Sequence, residues 1–555
     1  MKAFPNDGTS DPRLAAPAHN QPPLLVDESR VDEDPALISA VHAAGADWAL
    51  APLRAVAAWL AREASLQLAE RANENPPELN QFGRLGPAEQ AVRFDPAWHE
   101  LIAPQISAGA VATSWQEERP GAHSARGALM YLAVQTEAGT QCPISMSHGA
   151  VPVLRRNANV DPGIEQIWLS RILSREYDAR SLPAAEKTGA LLGMGMTERQ
   201  GGSDVRRNET HATSEGGVNY RLNGHKWFFS APSCDGFLVL AQASAGITCF
   251  LVPRLTDAGR SNGLQLVRLK SKLGNRSNAS SEVNFVDARG IRLGDEGRGV
   301  REIIEMATHT RVDCALATAG MMRRGLTVCL HHARSRVAFG RCLVDQPLMR
   351  NVLADLALES EAATRLALFA AGTFDQAEGS VAFELGRMLI PATKYHLGKR
   401  GPGFLAEAME VLGGNGYVEE WELPRLYREL PLLSIWEGSG NVMCLDVLRS
   451  AARSPATIDA LAEFLAPLAA LGPAMAKSTG ELVTAARGSD ETAGRRLAHR
   501  IALHCQAALL AHAQSPGTEA FIASRLTSGA GWGDAYGTLP VLPDAGYLNY
   551  AFRQA

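Results

Sequence analysis

A carboxylate set between an aromatic ring and a glycine stands out in the segment Ile435-Trp436-Glu437-Gly438-Ser439-Gly440-Asn441. Apolar surroundings raise the pKa of such a group and suit it to general-base work. An exposed, functionless Glu is the plainer alternative for the segment alone. A second segment, Met194-Gly195-Met196-Thr197-Glu198-Arg199-Gln200-Gly201-Gly202-Ser203-Asp204, combines glycines with hydroxyls. It would let backbone amides approach a ligand closely, or serve only as a turn-rich junction. A third, Asn223-Gly224-His225-Lys226-Trp227-Phe228-Phe229-Ser230, reads as a hairpin turn feeding an aromatic strand that ends in a hydroxyl. That pairing would suit a planar ring ligand, although such aromatics are more often core.

Two further segments carry the chemistry of anion binding. Arg336-Val337-Ala338-Phe339-Gly340, with Gln346 soon after, offers a guanidinium beside a glycine for a pyrophosphate. A solvated Arg at a helix C-terminus explains it equally. Glu410-Val411-Leu412-Gly413-Gly414-Asn415-Gly416-Tyr417 holds three glycines in four positions, either a phosphate-accommodating turn or a helix cap. Other familiar motifs are absent. No G-x-G-x-x-G follows a strand, and neither G-x-x-x-x-G-K-[ST] nor H-E-x-x-H occurs, which disfavours a Rossmann dehydrogenase, a P-loop NTPase and a zincin.

These segments need a large scaffold. The 555 residues are 46% hydrophobic and 20% charged, a globular composition with enough chain for three or four domains. The 54 basic and 59 acidic residues leave a net charge of −5, which excludes a globally basic nucleic-acid binder but not a local basic patch. Eight scattered cysteines form no C-x-x-C pair, so reduced thiols are expected, with no disulfide framework and no metal site. The first residues contain Asp7 and Asp11 and no apolar run, and no stretch of about 18 apolar residues occurs. Neither a targeting peptide nor a membrane span is expected, and a cytoplasmic location is.

The texture along the chain divides it into four. Residues 1–30 read as a loose arm, and 34–190 as Ala/Leu-rich helices such as 35–69 and 183–192. Six short β-branched or aromatic runs follow, at 218–222, 227–230, 237–242, 248–253, 264–269 and 282–285, with Asn223-Gly224 as a hairpin signal. Long one-faced helices return at 300–334, 343–371, 381–399 and 404–412, in keeping with a bundle. Beyond Pro455 two or three more helices precede a Gly/Pro-rich tail from 515 that looks weakly structured. The boundaries read as 1–190 (arm and helical domain), 191–293 (β domain), 294–452 (helix bundle) and 453–555 (extra helical domain). The fold class is mainly α with a middle antiparallel β domain.

In their order and content, the five segments together resemble the acyl-CoA dehydrogenase family over about 190–450. The family binds FAD without a Rossmann fingerprint and has a helical domain, a β domain and a four-helix bundle. The resemblance implies that Met196, Thr197, Gly202 and Ser203 line the flavin, that Phe228 lies against its ring and that Ser230 reaches its N5 edge. Arg336, Phe339, Gln346, Gly413 and Gly414 would contact the FAD pyrophosphate and adenosine of a neighbouring subunit, and Asn441 its adenine. The Phe339–Gln346 interval is one residue shorter than the family pattern. Glu437 matches the usual base. Some members place the base just before the Arg matched by Arg311, but Thr310 stands there, leaving Glu437. It would take the α-proton of an acyl thioester while the β-hydride passes to the flavin.

Asn75-Pro76-Pro77-Glu78-Leu79-Asn80, Val92-Arg93-Phe94-Asp95-Pro96-Ala97-Trp98-His99, the stretch KLGNRSNAS at 272–280, LPRLYRE at 423–429 and SIWEGSGNVMCLDVLR at 434–449 carry the resemblance further, to the AidB-like branch. This implies an extra C-terminal helical domain, a homotetramer, double-stranded DNA as a partner in the response to DNA alkylation, and weak acyl-CoA dehydrogenase capability. An ordinary dehydrogenase of short or branched acyl-CoA without a DNA role is the alternative. Residues 451–555 hold eight basic and eight acidic residues, so DNA binding rests mainly on the resemblance. Arg495, Arg496, His499 and Arg500 cluster at helical spacing, and Arg449 matches a basic position of that branch.

Overall fold

The computed structural model describes residues 20–84, 91–527, 535–544 and 546–552; the first 19 residues of the expected arm lie outside this set. The expected helical stretch 35–69 is three helices, Pro35–Ala43, Leu50–Leu60 and Glu63–Glu74. Gly45, at φ 70°, turns the chain between the first two. The first helix starts at Pro35, and the Asp34 carboxylate accepts from the Leu37 N–H at 3.1 Å. Asp95 and Pro96 repeat that device for Pro96–Ser107. Two further helices, Ala122–Ala133 and Gln141–Arg156, are buried over most of their surface.

The expected helix at 183–192 is not formed. One turn, Ala184–Glu186, gives way to the strand Leu192–Gly195. Gly193 and Gly195 sit where a Cβ would come within 2.7 Å of Phe237 and 2.6 Å of Phe229, so close packing against those rings selects an extended glycine-bearing strand. Six more strands follow: His211–Gly216, Asn219–Ser230, Gly236–Ala243, Gly246–Pro253, Leu264–Leu269 and Ser280–Leu293. Most pairings are antiparallel, while Leu192–Gly195 and His211–Gly216 run parallel to Gly236–Ala243. The five strands 211–216, 219–230, 280–293, 246–253 and 236–243 pair in a closed circuit.

Asn223-Gly224 is not a hairpin turn. The strand Asn219–Ser230 runs straight through it, and Gly216-Gly217, with φ 108° and 60°, makes the turn instead. Gly224 (φ 153°) is a bulge against Ser280–Leu293, and a Cβ there would meet Thr210 at 2.5 Å. The Asn223 amide is held in the sheet by Asp287, with Nδ2 donating to its carboxylate at 2.9 Å.

Gly299–Ser335, a 37-residue helix, is the spine of the molecule. At 1.5 Å per residue it spans about 55 Å. Pro347–Gly372, Val381–Val411, Glu422–Leu433 and Gly440–Arg453 pack around it and one another. The helix expected from 343 begins only at Pro347, a residue that fits the first turn but not a helix interior. Pro455–Ala469, Pro473–Gly488 and Gly494–His512 form the added helical unit, seated on Val381–Val411 and Gly440–Arg453. The described part of the tail is more ordered than its composition suggests. Tyr547 is buried and donates to Glu361 at 2.8 Å, and Arg323 donates to the Ala551 carbonyl at 2.7 Å. No described helix is long and apolar enough to cross a membrane.

Candidate active site

Glu437 occupies the turn between Glu422–Leu433 and Gly440–Arg453 in a left-handed conformation, φ 57°, followed by Gly438 at φ 98°. A non-glycine residue in that region is strained, and the surrounding contacts hold it there. Three consecutive carbonyls of the turn are captured by cations. Lys394 Nζ donates to Trp436 O at 2.7 Å and also to Gly438 O, and Arg311 Nε donates to Glu437 O at 3.1 Å. Arg311 is itself paired with Asp446 at 3.0 Å. The Glu437 side chain accepts one hydrogen bond, from Thr310 Oγ1 to Oε2 at 2.6 Å. Burial lifts the Glu437 carboxyl above its ordinary pKa; the Thr310 hydrogen bond and the charges of Lys394 and Arg311 oppose that rise.

Burial, followed by the Glu437 charge, pushes the thiol of Cys142, at the start of Gln141–Arg156, up to about 12. Lys272 Nζ donates to Asn278 O at 2.5 Å.

The glycine-rich loop lies beside the same strand. Thr197 O accepts from Trp227 N at 2.9 Å, and a Cβ at Gly202 would meet Thr197 Oγ1 at 2.5 Å. Met196 O accepts from Asn208 Nδ2 at 2.8 Å. Below the loop, Lys226 is fully buried and donates to Glu198 at 2.6 Å and to Leu240 O at 2.7 Å. Glu198 in turn accepts from Glu209 N at 2.6 Å, so one ion pair anchors both ends of the loop. Phe229 is fully buried, whereas its neighbour Phe228 is 50% exposed. The Lys270 ammonium lies over the Phe228 ring, 4.6 Å from its centroid. A half-exposed aromatic ring, a hydroxyl two residues on and a loop of amides fit a flavin ring.

The remaining candidates fall in other places. Arg336 ends the long helix about 39 Å along its axis from Thr310. Its Nη1 donates to Asn20 O at 2.7 Å. Phe339 tips the hairpin of Val337–Ala338 and Arg341–Cys342 at φ 52° and is 98% exposed. Gln346 donates back to Ala338 O at 2.9 Å within that hairpin. Gly413 and Gly414 are exposed, with open space where a Cβ would stand. Asn415 beside them donates to Gln21 at 3.0 Å, so residues 20 and 21 bridge this turn to the 337–342 hairpin. Asn441 is exposed and accepts from Arg495 Nε at 2.9 Å. Arg449 is paired with Asp446 at 2.8 Å, and Arg500 donates to Ser478 O at 3.2 Å; Arg496 is exposed. His499 does not join a basic face. It turns inward, with Nδ1 3.0 Å from His396 Nδ1, and burial lowers it to about 4.

Sequence reasoning passed over Lys394 as a positioning residue and treated Thr310 only as a missing base. A lysine inside the apolar run Leu389–Leu397 was the available sign for the first. Nothing local signalled that Thr310 would hold Glu437.

The fold is that of a flavin dehydrogenase, and comparison with known proteins agrees. Residues 20–179 match the adaptive response protein AidB N-terminal domain, 193–288 the acyl-CoA dehydrogenase middle domain and 297–452 the acyl-CoA dehydrogenase C-terminal domain. The chain is 44% identical over 504 residues to AidB of Escherichia coli strain K12, covering 90% of this chain and 93% of that protein. It is 32% identical over 374 residues to acyl-CoA dehydrogenase family member 11 of Caenorhabditis elegans, covering 63% and 58% of the two chains. Among solved structures, C. elegans ACDH-11 in complex with C11-CoA superposes with TM-score 0.82 at 25% identity, covering 90% of each chain. Bd2924 in its apo-form gives 0.79 at 28% identity, covering 89% of this chain and 99% of that one. The chain belongs to the acyl-CoA dehydrogenase family, in its AidB-like branch. It is an FAD-dependent oxidoreductase.

Proposed function

We propose that this protein dehydrogenates an acyl-CoA thioester between its α and β carbons, with Glu437 as the base. The observation that carries the reading is the left-handed Glu437 turn, whose three carbonyls are held by Lys394 and Arg311 and whose carboxylate is held by Thr310. Met196, Thr197, Gly202, Ser203, Phe228 and Ser230 are the residues proposed to hold the flavin. Bound FAD would supply the hydride acceptor. The work left to the chain is placement: the Glu437 carboxylate takes the α-proton, and the pocket walls hold the opposite face of the substrate toward the flavin. Because Thr310 donates to Oε2, Oε1 is the oxygen left to receive the proton. The acyl-CoA in the ACDH-11 structure supports a thioester substrate here.

Arg336, Phe339, Gln346, Gly413, Gly414 and Asn441 are proposed to hold the pyrophosphate and adenosine. The distance along the Gly299–Ser335 helix is too long for Arg336 and Glu437 to serve one flavin ring system and its phosphates within a single chain. We therefore propose a homo-oligomer, a tetramer by family, in which one copy's 336–346 segment completes another's site. The test is anaerobic addition of a short branched acyl-CoA such as isovaleryl-CoA to the flavin-loaded protein. Rapid bleaching of the flavin bands is expected. Bands that persist with a range of acyl-CoA chain lengths would overturn the substrate assignment.

A second reading, double-stranded DNA binding tied to protection from alkylation, draws support from the match to the AidB N-terminal domain and from exposed Arg449, Arg495 and Arg496 on neighbouring helices. With Arg500 these are the candidate phosphate contacts. Such contacts release counterions, so retention on DNA should fall steeply with salt. Negligible retention at low salt would remove this reading and leave an ordinary cytoplasmic acyl-CoA dehydrogenase.

A further inference from the structure

Outside the Glu437 pocket, three imidazoles from three helices converge. They are His123 at the start of Ala122–Ala133, His148 in the middle of Gln141–Arg156, and His309 near the start of Gly299–Ser335. One ligand-capable atom from each lies within 4.8 Å of the other two. The ring centroids are 5.8 Å (123–148), 5.6 Å (123–309) and 5.2 Å (148–309) apart. Three imidazoles bound through nitrogen at about 2.0–2.1 Å to one tetrahedral ion would have centroids about 5 Å apart. We propose that His123, His148 and His309 form a three-imidazole site for a divalent cation of the zinc class, with the fourth position left to water or a small anion.

The surroundings favour metal over a bare packing cluster. His148 and His309 are 2% and 5% exposed, and His123 is half-buried at the mouth. Ser114 Oγ lies 3.3 Å from His148 Nδ1. The Trp115 indole N–H donates to His148 Nδ1 at 2.9 Å and has the His148 carbonyl at 3.1 Å as a second acceptor, while Val111 O lies 3.4 Å from the same Nδ1. Arg126, close to the cluster, is tied to Asp313 in a buried ion pair.

The ligands are also preplaced. Asp375 accepts from His123 N at 2.8 Å and Ser124 N at 3.1 Å, fixing the helix end that carries His123. Phe374 stacks on His309 with centroids 4.0 Å apart, and the Trp115 ring lies 4.9–5.2 Å from all three imidazoles. These apolar walls lower the local dielectric and strengthen a metal–nitrogen bond. Three imidazoles with an open position make up the donor set of hydrolytic and hydrating zinc centres as well as of loosely held structural ions. His309 precedes Thr310, so an ion here would also clamp the helix turn that holds Glu437. The ligands are 25 and 161 residues apart in sequence, which is why no spacing motif announces them.

The experiment uses the full-length, flavin-loaded protein stripped with a chelator and then dialysed against zinc chloride alone. Metal content after gel filtration is read by mass spectrometry, and melting temperature with and without zinc by calorimetry. About one zinc per chain and a zinc-dependent rise in melting temperature are expected. Both should vanish in His123→Gln and His309→Phe but survive in His211→Gln, an exposed histidine outside the cluster. His123 is half-buried, so His123→Gln should melt like the metal-free parent and keep its flavin, which separates metal loss from misfolding. Wild-type protein that retains no more zinc than His123→Gln, or zinc retained equally by all the variants, would overturn the proposal.

Discussion

Replacing Thr310 by Val removes one hydroxyl and keeps the shape of the side chain. In the folded protein that hydroxyl donates to Glu437 Oε2 at 2.6 Å, the one hydrogen bond its carboxylate accepts among the described residues. A hydrogen bond to a charged group contributes about 1.5–3 kcal/mol. One pKa unit corresponds to about 1.4 kcal/mol, so the loss converts to about one to two units. The direction is fixed by the physics. The hydroxyl stabilises the ionised carboxylate and lowers a pKa that burial has raised, so Thr310→Val should raise it further. The acid limb of the rate of flavin reduction by acyl-CoA should therefore move about one to two pH units toward alkali. On that limb the rate should fall roughly ten- to hundredfold, while above it the variant should approach the parent. Rapid-mixing spectrophotometry across pH measures this, with flavin content checking that the site is intact. An acid limb that stays in place with a uniformly slower rate would refute the assignment of Glu437 as the titrating base.

Other substitutions probe the remaining parts of the site. Glu437→Gln should slow flavin reduction by about 10²- to 10⁴-fold without loss of flavin. Because burial raises the Glu437 pKa above the unfolded value of 4.5, the folded state binds the extra proton, and stability falls as pH rises from there through the folded pKa. Glu437→Gln should thus raise the melting temperature more at pH 8 than at pH 5. Lys226→Met strands the buried Glu198 carboxylate and should cost about 3–5 kcal/mol, read as a lower melting temperature together with a reduced flavin-to-protein ratio. Glu429 is pushed up to about 7 by burial, so its contribution to stability falls as pH rises from about 4.5 toward 7; Glu429→Gln should flatten melting temperature against pH over that window. Arg496→Ala should reduce the salt slope of DNA retention by about one and leave flavin reduction unchanged, if the exposed arginine contacts a phosphate.

The candidate residues could be read along the chain because their signals are local: Glu437 stands out between Trp436 and Gly438, and the 194–204 loop by its glycines and hydroxyls. The β domain was visible because alternating β-branched and aromatic runs have a period of two that helices lack. The failures were local rules overruled by packing. Asn223-Gly224 is a strong turn pair, yet the sheet uses it as a bulge, because Asn223 finds Asp287 across the strands and Gly224 lies against Thr210. The Gly/Pro-rich tail looked loose, yet Tyr547 and Phe552 dock on the bundle through partners more than 180 residues earlier in the chain.

By itself the sequence determined which side chains exist to do chemistry and which stretches could become helix or strand. Periodicity and turn chemistry depend only on near neighbours. Tertiary structure alone decided which of these groups meet. It set Thr310 and Lys394, from two different helices, around Glu437. It turned His499 away from its basic neighbours to His396, and it drew together His123, His148 and His309 from points 186 residues apart. Such meetings arise from helices packing across a shared core, and no local pattern in a chain records the partner it will find on another helix.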